Sequence, residues 1–513
     1  MNETPRIALR KRWLFVAWAF ILAVAGLVRL AGLEKVSLDF DEYLHVIPGQ
    51  EMLRSGRSVL PSGFPYPRAL PYTWMVSQCI KRFGSSEVAV RLPSIVFGVT
   101  LVLLAGWIAK RWWGSGASVI VMILLALEPF SMEMSRVCRM YAPFHFCYLF
   151  MWYAYYEALE GERNAWKRLA WGLSALATTG MAVKLHLLTA DFFLGLGVFV
   201  LIQALLGRPT YRKFVIFGTI VGLPILAVGH RYLTDLWHEI NTAPSYAAPW
   251  RYDYAFYLRQ FWSLDPWIVM FIMPALIWWF RRHTTRGWYA LCAIGAPFMV
   301  HSIIFDWKEA RYLLHIVPIM VVIIGSALWA WGGWLARRFE RSVFGEPTAE
   351  PRRLAPVTAG LLLAPMILTA RIGHPPEGLD GELVEWRQAY EQLRPLIHPD
   401  EQLIISVPLV SIYYLNRPPD YVLLNVLIKD SGKRLPRQDG GLYHDWYSGS
   451  PLITSAEEME MVFRKHPRGW IVVDVGRFSA ESCVPKPVRA MIESRCKKHD
   501  LPVSSVIAYS WGI

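Results

Sequence analysis

Residues 13–32 read WLFVAWAFILAVAGLVRLAG, and after LEKVS the chain continues at 38–45 as LDFDEYLH. The first stretch holds 20 residues with a single charge, Arg29, and is long enough to cross a hydrocarbon core as a helix. The second sets three carboxylates and an imidazole, Asp39, Asp41, Glu42 and His45, just beyond the point where that helix ends. A membrane helix followed at once by an acid cluster frames the rest of the chain.

Composition agrees with that frame. Of 513 residues, 54% are hydrophobic and 18% charged, with 24 Trp, which excludes a disordered chain and argues against a soluble globular enzyme. The net charge of +13 comes from basic residues scattered between apolar runs, so no nucleic-acid face is expected. Apolar stretches predict eleven spans, near 13–32, 89–109, 117–133, 141–159, 168–184, 186–206, 213–231, 265–280, 288–305, 311–335 and 354–371. The shorter segment 69–83, with Pro71, Lys81 and Arg82, reads as an interfacial helix. Short basic loops alternate with acidic or aromatic ones, which predicts a cytoplasmic amino terminus and an extracytoplasmic first loop (33–88), 232–264 loop and tail. The expected fold class is therefore a polytopic α-helical membrane protein, with a membrane module over 1–372 and a soluble domain over 373–513. The first span lacks a small-residue cleavage site and reads as an uncleaved helix.

In the tail, LIISV (403–407), YVLL (421–424) and WIVVDV (470–475) alternate with helical stretches near 382–394, 455–465 and 486–497. That alternation predicts an α/β domain with parallel strands covered on both faces, and no phosphate-cradling glycine loop accompanies it. Cys483 and Cys496 either close a disulfide across the last helix or remain two thiols.

Some cations have no topological reason to be where they are. Arg68, Arg136, Arg139, Lys184, Arg251, Lys308 and Arg311 all fall at extracytoplasmic helix ends. Ionisable groups at membrane depth need partners. A cationic pocket facing the Asp41 cluster would hold a phosphate or diphosphate headgroup by Arg forks and a Lys point charge, while its isoprenoid tail lay in lipid. Headgroup snorkelling is the simpler alternative for any one of these residues. The loop 241–254, with Pro244, Pro249 and four aromatics, reads as a lid.

Taken together these residues resemble the GT-C membrane glycosyltransferases, in the branch of protein O-mannosyltransferases and aminoarabinose transferases (families 39 and 83). The resemblance spans about 13–335. It rests on Asp41-Glu42 after the first helix, Phe64-Pro65-Tyr66-Pro67-Arg68 and Arg91-Leu92-Pro93-Ser94 leading into the second span, and Arg136-Val137-Cys138-Arg139-Met140-Tyr141-Ala142 opening the fourth. Lys184-Leu185-His186 and Arg311-Tyr312-Leu313-Leu314-His315-Ile316-Val317-Pro318 complete the set in order. Arg68-Ala69-Leu70-Pro71 departs from the Lys or His before Pro-Pro that members often carry.

The resemblance implies transfer of a sugar from a polyprenyl-phosphate carrier to a glycan, lipid or protein acceptor, with inversion, at the extracytoplasmic face of a bacterial inner membrane. Asp41 would be the general base and Glu42 a second active-site acid. Arg68, Arg136, Arg139, Lys184 and Arg311 would hold the donor phosphate. Asp39, His45, Tyr141, His186, Tyr312 and His315 would contact substrate or join a divalent cation such as Mg, Mn or Zn, although the histidines have no diagnostic spacing. A lipid or solute transporter and a non-enzymatic envelope scaffold are the rival readings; the chain shows no internal repeat to favour the first, and the second leaves the Asp41 cluster without a purpose.

Overall fold

A computed structural model of the chain describes residues 5–220, 252–305, 308–344, 384–424 and 442–512, with 222, 224, 234 and 360 besides. Contacts divide the chain into two compact units. One holds Met1–Ala31, Ser94–Arg136 and Met140–His374; the other holds Gly32–Pro93, Val137–Arg139 and Pro375–Ile513. The first loop is thus grouped with the tail, a partition that composition does not reveal.

Helix α1 (Pro5–Leu30) precedes the two helices of that loop, α2 (Phe40–Ser55) and α3 (Leu70–Phe83). Then come α4 (Glu87–Trp113), α5 (Ser115–Leu127), α6 (Pro129–Met134), α7 (Tyr141–Tyr156), α8 (Ala165–Leu185) and α9 (Thr189–Leu205). Beyond a helical stretch at 209–220 lie α10 (Phe256–Leu264), α11 (Pro266–Arg282), α12 (Thr284–Ile303) and α13 (Val317–Phe344). Among the described residues three helices are long and apolar enough to cross a membrane, and a fourth span results if the pair α10 and α11, bent by 109°, counts as one. The eleven stretches read from sequence include runs that the backbone interrupts. The run 117–133 is broken at Pro129, and α5 and α9 stop at 13 and 17 residues. The expected span 354–371, most of 221–231 and the expected lid over 241–251 lie outside the described residues.

In the first unit α5 packs on α1 and α13, α9 on α12, and α11 on α12 and α13. Gly195 lets α9 approach α12 closely, since a Cβ there would sit 2.9 Å from the Cys292 carbonyl oxygen. Pro129 has no N–H to give to the Leu125 carbonyl. The buried Arg29 guanidinium takes over that end of α5, donating to the Ala126 oxygen at 2.9 Å and the Leu125 oxygen at 3.4 Å. Glu128 in turn caps α6 by accepting the N–H groups of Phe130 and Ser131.

The second unit is built on α2, α3 and the tail. The tail runs α14 (Trp386–Leu393), β1 (Gln402–Ile405), α15 (Pro408–Leu415), β2 (Tyr421–Leu423), β3 (Leu452–Ile453), α16 (Ala456–Lys465) and β4 (Gly469–Asp474). It ends with α17 (Val475–Ser479), α18 (Lys486–Arg495), β5 (Lys497–His499) and β6 (Val506–Trp511). The sheet order is β3-β2-β1-β4-β6-β5. Strands β3, β2, β1 and β4 are parallel, as their continuous apolar runs predict, with Ile404 opposite Ile471. The antiparallel pair β5 and β6 departs from that expectation: β5 is the polar edge Lys497-Lys498-His499, which carries no apolar signal. Ile404, Ile471, Val462, Val488 and Ile492 share the core. Of the two alternatives for Cys483 and Cys496, the structure has two free thiols.

Candidate functional site

The acid cluster falls on the first turn of α2, with Asp39 as N-cap. Glu42 reaches back to accept the Asp39 N–H at 2.9 Å, closing half of a capping box and fixing where the helix begins. The same carboxylate forms a two-point pair with Arg91 at the start of α4, Nε at 2.8 Å and Nη2 at 2.7 Å. It also accepts the backbone N–H of Cys138. A carboxylate offers about four lone-pair sites, and all are taken. Arg91 completes its own set on the carbonyls of Val36 and Ser37, each at 3.0 Å. Sequence marks Glu42 as a second catalytic acid; the structure makes it the buried joint of three chain segments.

Asp41 is differently placed. Its Oδ2 meets Arg139 Nη2 at 3.0 Å, and its carbonyl oxygen accepts from Arg139 Nη1 at 2.9 Å. The Asp41 side chain is 19% exposed where that of Arg139 is 3%, so the acid faces outward while its arginine is a buried backing. One turn along the same face, His45 is fully buried, with Nδ1 2.9 Å from the Thr73 hydroxyl of α3. Burial, then the nearby Arg139 and Arg68 charges, holds its imidazole well below the usual histidine range, so the ring is neutral. Its edges meet the rings of Tyr66 and Tyr72. Arg68 is exposed, and the next residue, Ala69, adopts φ 47°, a left-handed conformation that a residue with a Cβ takes at some cost.

In the first unit the remaining expected residues form no single cluster. Arg136 Nη1 donates to the Val28 oxygen at 2.7 Å and the Arg29 oxygen at 3.3 Å, capping the end of α1. That geometry accounts for Arg136 without a phosphate. Lys184 is exposed, His186 Nδ1 accepts the Leu188 N–H at 3.1 Å, and the buried Tyr141 ring lies 5.7 Å from that imidazole. Arg311 pairs with Glu309, and Tyr312 is half-buried. His315 instead belongs to a buried trio that sequence reading missed: Asp191 Oδ2 lies 2.9 Å from His301 Nε2 and 3.3 Å from His315 Nε2. The signal was present, since Asp191 interrupts the apolar run 187–202. Among the described residues no group of three or more His, Cys, Asp or Glu is arranged to hold a metal ion.

Residues 68–230 match the family described as dolichyl-phosphate-mannose-protein mannosyltransferase. The chain is similar to ArnT from Cupriavidus metallidurans in the apo state, with TM-score 0.64, 14% identity and coverage of 98% of each chain. The chain has the GT-C fold. The undecaprenyl-phosphate-bound ArnT, also from Cupriavidus metallidurans, matches this chain with TM-score 0.64 at 15% identity over 97% of this chain and 98% of that one. The oligosaccharyltransferase AglB from Archaeoglobus fulgidus, in complex with an inhibitory peptide and a dolichol-phosphate, matches with TM-score 0.59 at 12% identity, over 95% of this chain and 73% of that one. No curated protein sequence matches significantly. The family match begins at Arg68, so the Asp41 helix lies outside it.

Proposed function

We propose that this chain is a membrane glycosyltransferase that takes a sugar from a polyprenyl-phosphate donor and gives it to an acceptor hydroxyl or amine, with Asp41 as general base. The observation that carries this reading is the division of labour on α2. Glu42 is saturated and buried, whereas Asp41 keeps solvent access and is held in place by Arg139. Solved structures of the same fold support the donor class, since ArnT was captured with undecaprenyl phosphate and AglB with a dolichol-phosphate.

In the step we infer, the acceptor oxygen or nitrogen attacks the anomeric carbon from the side opposite the phosphate. The bond from that carbon to the phosphate oxygen breaks with its electron pair leaving on the phosphate, and the configuration inverts. Asp41 takes the acceptor proton as the new bond forms, an effect worth about 10²- to 10⁴-fold. Arg139 fixes the carboxylate and acts through it as a positioning residue. Arg68 is assigned to the leaving phosphate, where a fixed cation stabilises developing charge. We route no step through a divalent cation. The reaction is assigned to the extracytoplasmic face of an inner membrane, with a glycan, lipid or protein as acceptor.

Titration of purified protein with undecaprenyl phosphate tests the donor site. At a hundredfold excess over Kd a ligand stabilises by about 2.7 kcal/mol. Wild type and Asp41→Asn are expected to gain melting temperature, and Arg68→Ala to gain much less. A wild type that gains none would refute the donor reading and favour a transporter or scaffold.

A further inference from the structure

Between the described end of β2 and β3, residues 442–451 form a compact turn. The buried Asp445 carboxylate organises it, accepting the N–H groups of Tyr447 at 2.9 Å and Ser448 at 2.6 Å and the Ser448 hydroxyl at 2.9 Å. His444 Nδ1 lies 2.7 Å from the Gly449 oxygen, and His444 bridges antiparallel to Pro451. The turn then grips the first loop at three points. Ser62 donates its N–H to the Tyr447 carbonyl at 3.2 Å. Trp446 stacks on Phe64 with centroids 4.0 Å apart and planes 17° from parallel. Tyr447 meets Phe40 edge-on at 5.0 Å. Phe40 immediately precedes Asp41, and Phe64 leads into Arg68, so the turn touches the flanks of both the assigned base and the assigned phosphate ligand.

We infer that this turn of the C-terminal domain is the wall against which the donor's sugar ring lies, with Tyr447 as its hydrogen-bonding residue. The inference rests on the glycosyltransferase reading above and gives the tail a part in it. A sugar presents an apolar C–H face and a rim of hydroxyls, and aromatic rings carrying a polar tip suit both. Two such phenols are at hand. The Tyr66 hydroxyl is buried on the first loop, in the fields of Arg139, Arg68 and Asp41. The Tyr447 hydroxyl sits in the fields of Asp41 and Arg68, and burial, then the Asp445 and Asp41 charges, pushes it up to about 12. It therefore stays protonated and able to donate. Trp446 is already stacked on Phe64 and fixes the turn.

The test compares binding of undecaprenyl phosphate with that of undecaprenyl phosphate carrying mannose or aminoarabinose, using the full chain in detergent. In wild type at least one loaded carrier is expected to bind more tightly than the bare one. Tyr447→Phe should cut that sugar-dependent gain by about tenfold, one net hydrogen bond, and Tyr447→Ala should cut it further. Bare-carrier affinity should be unchanged in both, which also shows that they fold. A gain that persists in both variants, or a wild type that gains from neither sugar, would overturn the inference while leaving the donor-phosphate site intact. A bare carrier that fails to bind wild type would overturn the glycosyltransferase reading first and this inference with it.

Discussion

Two neighbouring acids on one helical turn should fail in opposite ways when neutralised. In Glu42→Gln the shape is kept, but an amide oxygen replaces a carboxylate that accepts four donors, and its NH₂ faces groups that are themselves donors. The Arg91 side chain is 1% exposed, so its charge stays buried without a counter-charge. Breaking a buried pair from one side costs about 3–5 kcal/mol. For a unit of about 200 residues that is a fall of roughly 6–20 °C in Tm. In Asp41→Asn the acid that is lost is itself partly solvated, and the Asp41 carbonyl still accepts from Arg139, so a smaller fall in Tm is expected. Turnover, by contrast, should drop about 10²- to 10⁴-fold. Thermal unfolding of both variants in the same detergent, beside transfer from a sugar-loaded carrier, separates the two effects. The reasoning is refuted if Asp41→Asn loses as much Tm as Glu42→Gln, or if Glu42→Gln keeps its Tm and loses turnover.

Arg136→Ala should lower stability by about 1.5–3 kcal/mol, the worth of a charged hydrogen bond to the α1 carbonyls, and leave undecaprenyl phosphate binding unchanged; a parallel loss of binding would return Arg136 to the phosphate site. His45 predicts an acid-sensitive fold. The unfolded imidazole takes a proton below about pH 6.5 while the buried one does not, so stability falls as pH drops through that value, by about 1.4 kcal/mol per pH unit. His45→Gln, which can keep the bond to Thr73, should flatten the slope between about pH 6.5 and 5.5, and an unchanged slope in denaturation curves would show that the ring is not held neutral.

What could be read from sequence was what local pattern encodes. Strands β1, β2 and β4 fall on the apolar runs at 403, 421 and 470, and α14, α16 and α18 on the helical stretches between and after them, because periodicity and burial act over a few residues. Asp41 was legible as an acid just past a span. Its partner was not, since Arg139 lies 98 residues away and any of several cations could have met it. Arg136 and Arg139 look alike in sequence, three residues apart, yet one caps α1 and the other backs Asp41. Arg29 carried a clue of its own: a lone charge inside a span needs a local acceptor, and the nearest proline-broken helix supplies one. Hydropathy averages over Pro129, where the backbone breaks the apolar run 117–133 between α5 and α6.

The Glu42 joint also has a bearing on how the protein is made. Its donors come from residues 91 and 138, and α15, which packs on α2, comes from residues 408–415. Chains emerge amino terminus first. The acid turn at 39–45 is therefore synthesised early but cannot settle until nearly a hundred further residues have been threaded and folded back, and it is braced by α15 only once residues 408–415 have emerged. Until then its carboxylates remain hydrated and the loop stays open to proteases. A nascent chain halted before residue 138 should be cut in this loop, and one extended past residue 415 should resist, so the Asp41 turn becomes native long after it is made.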